Sequence, residues 1–297
     1  MISTQRIASI ADIVWTSDSG IGRTINRTDN RLMLEELWHL LGVRAANRAA
    51  CLLGYRREMA ALQARHRRCR DAWRPHLQAT KDALLLAAQA TGDHGGAALI
   101  VGGGSAHDLP IVELLEHFEQ IVLLDITFTY QSRRLAKHWP NRIFCHLHDV
   151  TGIVDWLAQH RQIPPPALVL NPTLPELPVK QRWVASVNCL TQLPLLPLDW
   201  LTHSAAEPKQ LEAFGRTLIL AHLKWLENWQ TPVCLVTELD DQRHDRNGQL
   251  DQTDYRPILA DYVQQANQLA SWNWTVNPPG ELPHGAWESR TVAAYLK

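Results

Sequence analysis

The sequence contains no apolar run near the roughly 20 residues needed to cross a bilayer, and its first ten residues carry no sustained apolar core of the secretory-leader type. It also lacks a surplus of either charge. Lys and Arg number 29, Asp and Glu 30, and the formal net charge is −1, which argues against long-range steering toward nucleic acid or an anionic membrane. Cysteine is sparse and odd in number: Cys51, Cys69, Cys145, Cys189 and Cys234 are scattered, as expected of reduced thiols rather than a disulfide framework. A Gly-x-Ser-x-Gly elbow and a phosphate-binding Gly-Lys-Ser/Thr loop are both missing. His146 and His148 alternate with Cys145 onto opposite strand faces, and no second cluster has ligand spacing, so no metal site is expected. Together these absences predict a cytoplasmic protein with no membrane partner. The 12 tryptophans form no repeat.

What is present is an ordinary globular composition, 297 residues with 45% hydrophobic and 20% charged, enough for a sizeable core. Its centre is residues 97–110, Ala-Ala-Leu-Ile-Val-Gly-Gly-Gly-Ser-Ala-His-Asp-Leu-Pro. Five apolar residues, the pattern of a buried parallel strand, run into three glycines that permit a tight turn and close approach to a ligand. Asp108 reads as a helix N-cap and Pro110 as a first-turn proline. Leu109, Val112, Leu115 and Phe118 then keep helical spacing to about residue 119. This is a strand–glycine loop–helix unit of a nucleotide-binding α/β domain.

A second apolar strand, 121–125, ends in Asp125, 21 residues after Gly104, where a carboxylate can accept both hydroxyl hydrogens of a ribose. A third strand, 142–149, ends in Asp149, which with Val150 would border the base. Gly102 and Gly104 fit part of the dinucleotide pattern, but its third glycine position holds His107, which disfavours an NAD-dependent oxidoreductase.

Gly102-Gly-Gly-Ser-Ala106 followed by Asp125 and Asp149, each closing its own strand, resembles the class I S-adenosylmethionine-dependent methyltransferases. The resemblance spans about residues 96–297. It implies a Rossmann-like, mostly parallel seven-stranded sheet with S-adenosylmethionine as cofactor. It places Gly102, Gly103, Gly104 and Ser105 under the methionine part, Asp125 and Ile126 at the ribose, and Asp149 and Val150 at the adenine. Two positions depart from the family pattern. Ile100 stands where an acid often precedes the first glycine, weakening the expected contact to the cofactor's amino group, and Ala106 stands where a third glycine is common. These departures and the lack of a defined base favour the alternative of a methyltransferase-like protein that binds a nucleotide or partner without catalysis.

The fourth strand has two candidates, 167–170 and 183–188. The second leaves room for a fifth strand at 233–238, a helix near 257–269 and closing strands near 272–276 and 290–295, which completes seven strands. Residues 164–178 then become an inserted loop. Asn188 and Glu238 fall at strand ends on the ligand-binding edge, and Gln192 belongs to the turn that follows Asn188. Asn188 is the candidate to orient an acceptor or hold the cofactor, and Glu238, with Asp240 and Asp241, could hold an amine acceptor. Residues 243–248 read as an exposed turn, and Trp272 and Trp274 as edge-strand packing.

Residues 1–95 read as a helical extension after an irregular first 30, with an apolar stripe at Leu34, Leu37, Leu40 and Leu41. Long helices are expected over 44–70 and 73–90, with breaks or bends at Gly42, Gly54 and Pro75. The basic cluster Arg65, His66, Arg67, Arg68, Arg70 and Arg74 reads as a solvated face. A small-molecule acceptor is favoured by the near-neutral charge, with nucleic acid and protein acceptors open.

Overall fold

The computed structural model describes residues 40–92, 95–172, 177, 179–202 and 204–297. The stripe at Leu34 and Leu37 and the irregular first 30 residues lie outside that range.

The first described strand, β1 (Arg44–Ala45), interrupts the helix expected over 44–70. It pairs with β4 (Thr127–Phe128) in a separate two-stranded sheet. Helix α1 (Arg48–Leu52) follows, started by Asn47, whose side-chain oxygen accepts the Ala50 N–H at 2.8 Å. Gly54, at φ +96°, then turns the chain into α2 (Tyr55–Arg68). The next break falls at Cys69. Pro75 lies inside α3 (Arg70–Ala90), where its missing N–H forfeits the bond to the Asp71 carbonyl.

The main sheet is built on β2 (Ala97–Val101), buried along its whole length. Parallel neighbours are β3 (Gln120–Asp125) on one side and β6 (Gln181–Val187) on the other. Beyond them lie β5 (Ile143–Leu147) and β7 (Val233–Glu238), also parallel. The second closing strand, β11 (Trp287–Leu296), inserts antiparallel beside β7, and β10 (Asn267–Asn277) pairs antiparallel on its far side. The seven-strand order is thus β5-β3-β2-β6-β7-β11-β10, with one strand reversed.

A further hairpin brings the sheet to nine strands. β8 (Asp240–His244) continues β7 past Leu239 along the first part of β11, and β9 (Leu250–Asp254) folds back on it. The turn expected over 243–248 is therefore confined to the hairpin tip. The other candidate for the fourth strand is helical, as α7 (Pro166–Leu170).

Helices cover both faces, and strand alternation assigns the core residues. Leu84, Ala87 and Ala88 of α3 and Leu114 and Leu115 of α4 (Ile111–His117) meet Ala98, Ile100, Leu123 and Val236. On the other face, α9 (Pro208–Glu227) and α10 (Arg256–Val263) meet Leu99, Val101, Leu124 and Leu235. Between the strands run α5 (Tyr130–His138) and α6 (Val154–His160), and α8 (Leu195–Leu201) precedes α9. Asp108 does not cap α4. That helix starts after Pro110 without a side-chain cap, and the Asp108 carboxylate turns to Asn188 instead.

Candidate functional site

The chain runs from β2 outward to β5 on one side, then returns to β6 and β7 on the other. The carboxyl ends of β2 and β6 flank this switch point, where open α/β sheets bind ligands. A cavity of about 540 Å³ opens there.

Its floor is the glycine loop. Gly102 has φ +86°, and a Cβ there would run into the Val187 carbonyl, so the turn over the end of β6 requires glycine. At Gly104 a Cβ would stand 2.7 Å from the Asp125 carboxyl carbon. The bare backbone instead lets its N–H donate to Asp125 Oδ2 at 2.9 Å, while the Thr127 N–H donates to Oδ1 at 3.0 Å. The Ile126 N–H and the Thr127 hydroxyl also act on this carboxylate, and the residue lines the cavity. Burial pushes its pKa up to about 6, against the pull of these N–H donors.

Asp149 also lines the cavity, but most of its accepting capacity is already used. Oδ1 takes the Thr151 N–H at 2.9 Å and the Thr151 hydroxyl at 2.5 Å, and Oδ2 takes the Val154 N–H at 2.9 Å. The carboxylate thereby starts α6. Ile126 and Val150 add apolar wall, and Ser105 lines the loop side.

Asn188 follows β6 in the left-handed region, at φ +48°. Its Nδ2 donates to Asp108 Oδ2 at 2.8 Å, and its Oδ1 is buried without a partner. Gly102, Ser105, Asp125, Ile126, Asp149, Val150 and Asn188 all line the cavity, whereas Gly103 and Gly104 stand behind its wall. Glu238 does not line it either. The strand end is at the expected edge, but this buried carboxylate accepts the Thr191 hydroxyl at 2.7 Å and faces Arg290 at 3.3 Å. Arg290 also pairs with Asp241 at 2.9 Å, and it is Arg290 and Asp241 that reach the cavity.

The other wall comes from elements without a sequence motif. Tyr55 of α2 lies near both strand-end acids. Burial first, then the charges of Asp149 and Asp125, hold its phenol well above the usual range. Trp73 and His76 of α3 meet Trp274 of β10, with His76 stacked on Trp274 at 4.0 Å between ring centres. The Trp272 N–H donates to His76 Nδ1 at 3.0 Å, and burial lowers the His76 pKa to about 3. Trp274 thus both packs the strand and faces the cavity. Arg65, expected on the solvated face, is a lining residue too, while Arg67, Arg70 and Arg74 are exposed. Only the two-residue spacing of Trp272 and Trp274, which puts both on one strand face, pointed toward this wall.

No family model and no curated protein matches the sequence. Solved structures do. One is the 1,6-didemethyltoxoflavin-N1-methyltransferase of Burkholderia thailandensis with 1,6-didemethyltoxoflavin and S-adenosylhomocysteine bound. It is 13% identical over 80% of this chain and 85% of its own, with a TM-score of 0.41. The magnesium protoporphyrin IX methyltransferase of Synechocystis is 12% identical over 74% of this chain and 79% of its own, with a TM-score of 0.37. A mitomycin 7-O-methyltransferase is 12% identical over 92% and 69%, also at 0.37. With so few residues in common, the ligand of this cavity has to be read from the cavity's own side chains.

Proposed function

We propose that the protein is an S-adenosylmethionine-dependent methyltransferase acting on a small-molecule acceptor. The observation that carries this reading is Asp125. It sits at the switch point, locked to the glycine loop by the Gly104 N–H, and it lines the cavity. The two oxygens of a strand-end carboxylate suit a ribose diol.

The sheet order argues against a dinucleotide. Dinucleotide-binding sheets run 3-2-1-4-5-6 in parallel, whereas here β11 enters reversed between β7 and β10. Tyr55, Ile126 and Val150 would hold the base, Asp125 the ribose, and Gly102 and Ser105 the methionine part. S-adenosylmethionine, when bound, supplies a methyl carbon activated by its sulfonium. What the chain must add is chiefly orientation of the acceptor in line with that bond. Trp73, His76 and Trp274 give the acceptor end a planar aromatic wall, and Asn188 stands between that wall and the loop. Glu238 acts one step back, fixing Arg290. The cavity volume, enclosed by α2 and α3, favours a small acceptor over a polymer.

Calorimetric titration of the intact protein with S-adenosylhomocysteine and with NAD tests the assignment. Saturable binding of S-adenosylhomocysteine with none of NAD is expected. Folded protein that ignores S-adenosylhomocysteine, or that prefers NAD, would overturn it.

A further inference from the structure

Ile100 is fully buried in the sheet core, so no acid stands on β2 ahead of the first glycine. A carboxylate nonetheless reaches the same cavity from beyond the loop. Asp108 lines it and has one side-chain partner, Asn188. Among the described residues it makes no ion pair, and the charge of Lys81 is the last of the influences on it, after burial and its hydrogen bonds. Burial accordingly raises its pKa.

Its partner Asn188 and the His76 ring behind that partner carry no charge. Asn188 turns its Nδ2 to the carboxylate, and its Oδ1 is buried and accepts nothing among the described residues. His76 is neutral, and because Nδ1 accepts from Trp272, its proton is on Nε2. That nitrogen, 3.4 Å from Asn188 Nδ2, gives the amide N–H no alternative acceptor. An ionised Asp108 therefore fixes the amide with nitrogen toward the carboxylate and Oδ1 away from it. A half-desolvated carboxylate with one neutral partner, and an amide oxygen left empty on that partner, are both unfavourable until a positively charged N–H donor reaches them.

Resting on the cofactor reading above, we propose that Asp108 and Asn188 form the site for the ammonium group of the cofactor's methionine part, in place of the acid that Ile100 displaces. The pair comes from the loop after β2 and the end of β6, so a ligand whose ribose is on Asp125 crosses the glycine loop to reach it.

The test is calorimetry on the full chain with two probes, S-adenosylhomocysteine and 5′-methylthioadenosine, which keeps the nucleoside and thioether but lacks the amino-acid end. Asp108→Asn should weaken S-adenosylhomocysteine by about ten- to a hundredfold, the effect of losing one charged hydrogen-bond partner. Methylthioadenosine should be unaffected. Equal losses for both probes, or loss for neither, would overturn the proposal. A second measurement needs no variant: the wild type should discriminate by a similar factor against an S-adenosylhomocysteine analogue with hydrogen in place of the amino group, and indifference to that change also overturns it. A wild type that binds neither probe sinks the cofactor reading and the proposal together. That outcome is distinct from failure of the Asp108 result alone.

Discussion

Acidification should loosen the cofactor through Asp125. The carboxylate must be ionised to accept from both hydroxyls of a diol, yet burial has already raised its pKa to about 6 in the ligand-free protein. Hydroxyl donors favour the ionised form, so binding lowers this pKa and expels a proton. At pH 7 about nine molecules in ten are already ionised, and at pH 5 about one in eleven. The affinity for S-adenosylhomocysteine should therefore fall about tenfold between those values, or ~1.4 kcal/mol. The buried histidines do not contribute, since burial holds His76 near 3 and His107 near 4, neutral throughout. Titrations at pH 5, 6 and 7 in buffers of different ionisation enthalpy would measure both the affinity and the proton released. Asp125→Asn separates this group from Asp108, whose pKa is also raised. In that variant an NH2 faces the N–H of Gly104 or of Thr127, so affinity drops at every pH and Asp125's share of the slope vanishes. A flat affinity from pH 5 to 7, or a variant that keeps the full wild-type slope, would refute the placement of the diol.

The ligand-free fold should itself weaken over the same range. His76 and His222, both 2% exposed, have pKa values lowered to about 3 and about 4. Their unfolded forms protonate near pH 6.5, so stability present above that value is lost as the pH falls through it, by roughly 2 kcal/mol each at pH 5. Asp125, with its pKa raised, returns only about 1 kcal/mol of this; urea unfolding that is no easier at pH 5 than at pH 7 would contradict the assignment. Ala106 occupies the left-handed region at φ +57°, so Ala106→Gly should stabilise by up to ~1 kcal/mol net of the added unfolded-state entropy. A loss of stability in that variant, read by thermal or denaturant unfolding, would show that the methyl group makes contacts worth more than the strain.

What could be read from the sequence was what is local. The strands at 97–101 and 233–238 match to the residue because a strand buried on both faces is a continuous apolar run with nothing to confuse its ends. Gly102 and Asp125 were legible for the same reason, since a loop after a strand and an acid closing the next strand are each defined by neighbours in sequence. The β8–β9 hairpin was not. Its residues are polar on both sides, and it forms because β11 extends past β7 and offers an edge to pair with. Glu238 shows the limit of the strand-end rule, which gives the edge of the sheet but not what a side chain bonds to once there. Asp108 shows the limit of the cap rule, since a carboxylate that suits an N-cap will leave it for a better partner. Tyr55, His76 and Trp274 carry no motif, and only tertiary packing brings them to the glycine loop.

The aromatic wall has a consequence for how the molecule reaches its working form. The Trp73 N–H donates to the Val276 carbonyl at 2.8 Å, across 203 residues of chain. Most of the sheet is threaded between those two points. No early, local folding unit can contain this wall, because closing so long a loop gains nothing until the strands in between are in place. The part of the cavity around Asp125 and Asp149, drawn mainly from residues 97–151, can assemble from neighbours, whereas the aromatic wall waits for the rest. Hydrogen exchange at the Trp73 indole should accordingly follow opening of the whole domain rather than local fraying.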